Sequence, residues 1–250
     1  MIQPTLAAAT VILLRDGDAG LETFVMRRAT TMAFAPRMHV FPGGRVDRED
    51  FGEEVAFLRG DVAHLADRGS TDVAGIAALY ACAVREIAEE TGVMLAARDP
   101  AGRLLIDPDD LPLIDHWVTP EMEGRRYDVR FFAAVLPNDQ QASLTTTEAD
   151  EAAWVAPSAA VAEFEAGRMA MLPPTEAVLR RLASFVRAAD VLADAPGRAV
   201  HPLLPRMLVD ESGVGRWALV HDRTGEVLHE GVSMPHTRES DGRPTAQDAP

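Results

Sequence analysis

HVFPGGRVDRED, residues 39–50, and REIAEETGV, residues 85–93, are the two stretches whose joint reading decides the fold. Pro42, Gly43 and Gly44 in the first are an ordinary turn signal when taken alone. In the second, Glu86, Glu89 and Glu90 stand at i, i+3 and i+4 of a helix, which puts three carboxylates on one face with Cβ atoms about 5–6 Å apart. Like charges at that spacing destabilise a helix by about 0.2–0.5 kcal/mol per pair, and glutamates near a helix C-terminus also oppose its dipole. Hard divalent cations such as Mg²⁺ or Mn²⁺ take oxygen ligands and would compensate such a cluster. The bland reading of the same run is a solvated acidic helix end. Joined in this order, a glycine turn and an acidic helix point to a metal-assisted site for an anionic ligand.

The flanking sequence supplies the frame. Residues 71–93 have Asp72 as a cap, a run of alanine-rich helix formers and Gly92 in the stop position, which predicts a helix carrying the three glutamates. AAATVILLRDG and ETFVMRRA read as two strands joined by a hairpin at Gly17 to Gly20. IDHWVTP and RRYDVRFFAAVLP read as further strands, the second with the nearly continuous apolar end of a buried sheet. EAAWVAPSAAVAEFEAG predicts a strand running into a helix capped by Ser158. PPTEAVLRRLASFVRAADVL predicts one amphipathic helix with Val178, Leu179, Leu182 and Val186 on its apolar face. Between Asp50 and Ser70 a short helix and an irregular segment are expected, and RWALVHDRTGEVLHEG reads as a hairpin turning at Thr224 and Gly225. Interleaved strands and helices favour an α/β fold in which helices cover both faces of a mixed sheet.

The chain has 250 residues, 47% hydrophobic and 25% charged, which fits one globular domain with additions. Its formal net charge of −15 argues against a general grip on nucleic acid or an anionic membrane. The apolar run at Leu6 to Leu14 is too short to span a bilayer, and no cleaved signal is expected. Cys82, the only cysteine, excludes an intrachain disulfide and a cysteine-rich zinc site, so a reducing cytoplasm is the expected compartment. Its apolar neighbours predict a buried structural thiol.

With these residues in place, the chain resembles the Nudix hydrolase family. The family signature runs from a glycine through five residues to a glutamate, then through seven more to R-E-U-x-E-E-x-G-U, where U is a bulky aliphatic. Arg85 to Val93 match every position of its second half. Gly44 and the five residues RVDRE lead to Asp50 where the family usually has glutamate, and 34 residues instead of seven separate Asp50 from Arg85. An insertion of this kind is known in a branch resembling coenzyme A diphosphatases. RRATTMAFAPRMHVFPGG resembles the segment that precedes the motif there, although Ala33 stands for an arginine and Arg37 for a glycine of the stricter pattern. The resemblance covers about residues 7 to 190.

This resemblance implies a Nudix-type α/β/α sandwich over residues 1–190 with a helical insertion within the motif at about 51–71. A C-terminal β-hairpin extension is expected over 191–233 and a disordered tail over 234–250. It implies hydrolysis of a nucleoside diphosphate derivative, possibly coenzyme A or an acyl-coenzyme A, with Mg²⁺ or Mn²⁺. The alternatives are an ADP-ribose or NADH pyrophosphatase and a non-catalytic nucleotide sensor. Glu86 and Glu90 are the implied principal metal ligands, with Glu89 sharing the work. Gly43 and Gly44 let the backbone approach metal and phosphate oxygens. Arg85 is expected to orient a glutamate and Gly92 to end the helix. The general base is expected at Glu148, in the loop before the strand at Trp154, with Glu151 as the alternative. Arg28 and Arg37 are candidates to hold a distal phosphate; strand alternation means Arg27 and Arg28 cannot both face the site. His39 is read as a turn-packing residue, and Trp117 and Trp154 as sheet or core residues. The hairpin after residue 200 could form a homodimer contact, cover the pocket or do neither.

Overall fold

The computed structural model of the protein describes residues 3–32, 34–209 and 215–230. The tail expected from residue 234 and the Ala33 departure from the coenzyme A pattern lie outside the described residues. The chain opens with a hairpin of β1 (Thr5–Gly17) and β2 (Gly20–Arg28), in which Gly17 faces Gly20. Two short strands follow, β3 (His39–Val40) beside β2 and β4 (Gly43–Arg45) beside β1. Next come α1 (Arg48–Gly52), β5 (Val55–Phe57), α2 (Val62–Arg68) and the long α3 (Val73–Thr91). Then β6 (Ala97–Arg98), β7 (Leu104–Ile106), β8 (Leu113–Val118), β9 (Arg126–Val135) and β10 (Ala149–Val155) precede three helices, α4 (Pro157–Glu165), α5 (Pro173–Leu182) and α6 (Ala188–Asp194). The described chain closes with β11 (Leu203–Val209), β12 (Gly215–His221) and β13 (Val227–Glu230).

The main sheet runs β10-β2-β1-β9-β8-β11-β12-β13, with β1 parallel to β9 and β8 antiparallel to β9. Because β1 is covered on both faces, its residues are apolar in succession rather than in alternation. Ala9, Val11 and Leu13 pack on the α3 side, whereas Ile12 and Leu14 pack with Val178, Leu179 and Leu182 of α5. Ile76, Tyr80, Ala83 and Ile87 recur at helical spacing on the buried face of α3. Burying each of the larger aliphatic side chains contributes about 1.5–3 kcal/mol, and this seam fixes α3 against the sheet. The arrangement is the expected α/β/α sandwich with a mixed sheet.

Three expectations need correction. The segment between Asp50 and Ser70 is more ordered than a short helix and an irregular run. Its β5 pairs with β7 and β7 with β6 in a separate three-stranded sheet. Phe57 packs edge-on against Tyr80, which packs on Phe132, and Arg68 of α2 donates to the Leu113 and Ala195 carbonyls. The helix after β10 is not capped by Ser158: Pro157 occupies its first turn, where a missing N–H is harmless, and Ala156 is the cap. The single helix expected after Pro173 is two. The Ala188 N–H donates to the Asp16 carboxylate at 2.7 Å, which starts α6 afresh and leaves Val186 in the connection, 72% exposed. At the far edge, β12 and β13 form a hairpin with Gly225 in its turn, and β11 joins it to β8 through Leu203 opposite Trp117. No helix among the described residues is long and apolar enough to cross a membrane.

Candidate active site

The Asp72 carboxylate caps α3 by accepting the Gly75 N–H at 2.7 Å, and Gly92, at φ 75°, ends the helix in the left-handed conformation. Between these limits Glu86 and Glu90 are one turn apart, both facing β4. The Gly43 N–H donates to Glu90 Oε2 at 2.7 Å. A Cβ on Gly44 would lie 2.2 Å from Glu86 Oε1, and one on Gly43 would lie 2.4 Å from the Ala9 carbonyl oxygen. Only glycine lets β4 lie between β1 and the two carboxylates. From below, the Cys82 thiol donates to the Gly44 carbonyl at 3.6 Å, and burial pushes that thiol pKa well up, as expected of a structural cysteine.

The two halves of the motif meet through Arg85. Its Nε and Nη2 donate to the two oxygens of Asp50 at 2.9 and 2.8 Å, a bidentate pair across the inserted segment. Asp50 is buried, 4% exposed, and also accepts the Asp47 N–H at 2.8 Å as part of the capping box that starts α1. A further donor, Arg85 Nη1, reaches Glu86 Oε1 at 2.8 Å. Sequence reading assigned Arg85 to a glutamate and left Asp50 without a partner. The Asp-x-x-Asp spacing at 47–50 was the available signal for the cap, but nothing local announced the bond to Arg85.

The environment separates the three helix glutamates. Glu90 is 8% exposed and its pKa is pushed up to about 8, by burial first, against the Gly43 N–H bond. The negative charges of Glu86 and Glu148 push in the same direction, and Arg28 opposes them. Glu86 is likewise raised by burial, with the bond from Arg85 acting against it. Glu89 stands apart: its side chain is 60% exposed and is held by Arg85 at 3.3 Å. Among the described residues no three His, Cys, Asp or Glu side chains gather at metal-holding spacing. Glu86 and Glu90, the two expected principal ligands, face β4 as a pair, and Glu89 stands at the exposed rim beside them. Two largely buried carboxylates beside a glycine cradle suit a hard divalent cation, for which oxygen is the preferred donor.

The loop before β10 brings Glu148 into this group. Thr145 donates its N–H to the Glu90 carbonyl at 3.0 Å and its hydroxyl to that of Glu89 at 2.6 Å, while Ser143 N–H reaches Thr91 at 3.1 Å. These bonds satisfy carbonyls that the helix end leaves open. The Glu148 carboxylate is exposed, and its backbone carbonyl accepts the Ala29 N–H at 2.8 Å. Glu151 instead pairs with Arg27 at 2.7 Å, and Arg27 also holds Asp150. Of the two arginines expected at a distal phosphate, Arg28 acts on Glu90 through its charge, and its Nε donates to the Phe34 carbonyl at 3.1 Å. Arg37 is exposed with φ 63°, and His39 Nδ1 donates to the Ala170 carbonyl at 3.1 Å. Trp117 is buried in the core, and Trp154 packs edge-on against Phe24.

No family model matches the chain. It is 28% identical over 224 residues to a Caenorhabditis elegans protein classed as nudix hydrolase 7, an alignment covering 80% of this chain and 67% of the relative. It is 28% identical over 277 aligned residues to the human acyl-coenzyme A diphosphatase NUDT19, covering 84% of this chain and 72% of the relative. Among solved structures, the NUDIX hydrolase from Alicyclobacillus acidocaldarius superposes with a TM-score of 0.63 at 28% identity, covering 77% of this chain and 97% of that one. Each of these likenesses spans more than three quarters of the chain, which is thus similar to Nudix hydrolases and, among them, to an acyl-coenzyme A diphosphatase.

Proposed function

We propose that the protein hydrolyses the diphosphate linkage of coenzyme A or an acyl-coenzyme A, giving 3′,5′-ADP and a phosphopantetheine product. The observation that carries this reading is the seating of Gly43 and Gly44 against Glu90 and Glu86, with the Gly43 N–H donating at 2.7 Å. Glu86 and Glu90 would hold Mg²⁺ or Mn²⁺, with Glu89 in a lesser part at the exposed rim. Such an ion, when bound, neutralises the diphosphate and lowers the pKa of the attacking water. Gly43 and Gly44 leave room for phosphate oxygens to approach the backbone. Arg28 supplies positive charge beside the carboxylates, and Arg37 stands further out as a second candidate for a distal phosphate. Glu148, solvated and near Glu90, takes the proton of the attacking water as its oxygen bonds to phosphorus and the bridging P–O bond breaks. Arg85 holds Glu86 in place, and Gly92 ends the helix just beyond Glu90. The name of the human relative, an acyl-coenzyme A diphosphatase, supports this substrate class.

The test is hydrolysis of coenzyme A, acyl-coenzyme A, ADP-ribose and NADH with Mg²⁺ or Mn²⁺, using Glu90→Gln as control. Cleavage of a coenzyme A species that disappears in the variant is the expected result. Preferential cleavage of ADP-ribose or NADH would transfer the enzyme to that substrate class. Nucleotide binding without cleavage of any compound would make the protein a sensor.

A further inference from the structure

On the α5 side of the sheet, opposite α3, lies a cavity of about 540 Å³, within the range of about 300–1,000 Å³ usual for small-molecule sites. Its floor is Val129 and Phe131 of β9 with Trp117 of β8. One wall is the loop from Phe34 to Met38, and another is the first turn of α5. Among its lining residues Glu123 alone is charged, and the remainder are mostly aliphatic, aromatic or proline. A nucleobase or ribose placed here would leave several donors and acceptors unpaired, and a phosphate would find no cation. An alkyl chain meets neither penalty: each methylene moved from water into such a lining favours binding about fourfold.

The cavity adjoins the carboxylates. Thr10 lines it, and a Cβ on Gly43 would come within 2.6 Å of Thr10 Cα, so one strand separates the two spaces. Arg28, outside the cavity lining, links the two, its charge acting on Glu90 while its Nε holds the backbone carbonyl of the wall residue Phe34 at 3.1 Å. Phe34 in turn packs edge-on against Tyr127 with ring centroids 5.6 Å apart. In the same wall Ala35 and Arg37 adopt φ 48° and 63°, conformations that non-glycine residues hold only where the surroundings impose them and that cluster at ligand sites. The indole N–H of Trp117 is buried without an acceptor, a donor that a thioester carbonyl can satisfy.

We propose that this cavity seats the acyl end of an acyl-thioester substrate while the diphosphate lies over Gly43 and Gly44, so that chain length sets substrate preference. The proposal rests on the coenzyme A reading given above. It is tested by kcat/KM for coenzyme A and its butanoyl, octanoyl and dodecanoyl thioesters, in the wild type and in Val129→Phe, which intrudes on the cavity floor. The wild type is expected to favour longer chains, and Val129→Phe to lower the dodecanoyl-to-free-coenzyme A ratio about tenfold. Because a ratio cancels the fraction of folded enzyme, poor folding of the variant cannot mimic this result. A second arm needs no hydrolysis: brominated dodecanoate should quench the fluorescence of wild type, and less so in Trp117→Phe. Coenzyme A cleaved without regard to chain length, or a ratio unchanged in Val129→Phe, overturns the proposal and leaves the hydrolase reading intact. Quenching at Trp117 in a protein that cleaves no coenzyme A species supports the alkyl site and removes the substrate reading. The absence of both quenching and chain-length preference overturns the cavity assignment outright.

Discussion

Replacing Arg85 by methionine deletes the guanidinium that holds the two halves of the motif together. Asp50, 4% exposed, then keeps one N–H bond, from Asp47, and loses two charge-assisted bonds of 2.9 and 2.8 Å. Removing one partner of a buried pair costs about 3–5 kcal/mol. Arg85 retains 26% of its side-chain exposure, so water moderates the loss and the lower end, about 3 kcal/mol, is expected. For a chain of this size that is a fall in Tm of about 6–12 °C. Asp50→Asn removes the charge while keeping the shape, and combined with Arg85→Met it leaves no uncompensated ion at position 50. The double variant is therefore expected to be more stable than the sum of the single losses by about 2 kcal/mol, a coupling that urea denaturation of all four proteins resolves. Additivity within about 0.5 kcal/mol would refute the reasoning, because the halves would then be held by packing alone.

Gly44→Ala is expected to lower kcat/KM about 100-fold with a much smaller change in stability, since the added Cβ displaces Glu86 and a misplacement of about 1 Å carries that penalty; steady-state kinetics beside thermal unfolding separates the two effects. Leu179→Ala in the core should cost about 2–5 kcal/mol, whereas Val186→Ala in the exposed connection should cost under about 0.5 kcal/mol, both read by urea unfolding. Stability should also fall with acid through His116 and Asp128, which are bonded to each other. Burial holds the His116 pKa below its usual value despite the bond to Asp128; for Asp128 burial acts upward, but His116 and Arg130 outweigh it and hold the carboxyl low. Below about pH 6.5 the unfolded chain binds a proton that folded His116 refuses, so stability declines there, and Asp128 adds a second decline below about pH 3.9. His116→Gln should flatten the first decline in unfolding measured between about pH 7.5 and 5, and an unchanged slope would remove His116 from the account.

What the sequence made legible was local in origin. Glu86 and Glu90 share a face because helical spacing dictates it, and Asp72 and Gly92 bound their helix by cap chemistry alone. The outward turn of Glu89 was not legible, because it follows from where Arg85 lies once Asp50 has drawn it in. Likewise the break between α5 and α6 is set by Asp16, 172 residues away from Ala188, against a local pattern that favours one helix. The strands β5, β6 and β7 are two or three residues long and carry no alternation; they exist through one another. Arg28 and Arg37 were indistinguishable as side chains, and the loop conformation separates them.

The bond between Arg85 and Asp50 also governs how much sequence can be placed between them. Lengthening the connection from seven residues to the 34 found here raises the entropy of loop closure by roughly 1.4 kcal/mol. The contribution expected from the ion pair exceeds that, and α2 and β5 add contacts of their own. A site closed in this way requires that the chain return to one position, with little thermodynamic demand on the length of its excursion. Grafts into the segment between Gly52 and Asp72 should accordingly be tolerated in proportion to how well they fold, while a search keyed to fixed spacing would pass over the motif.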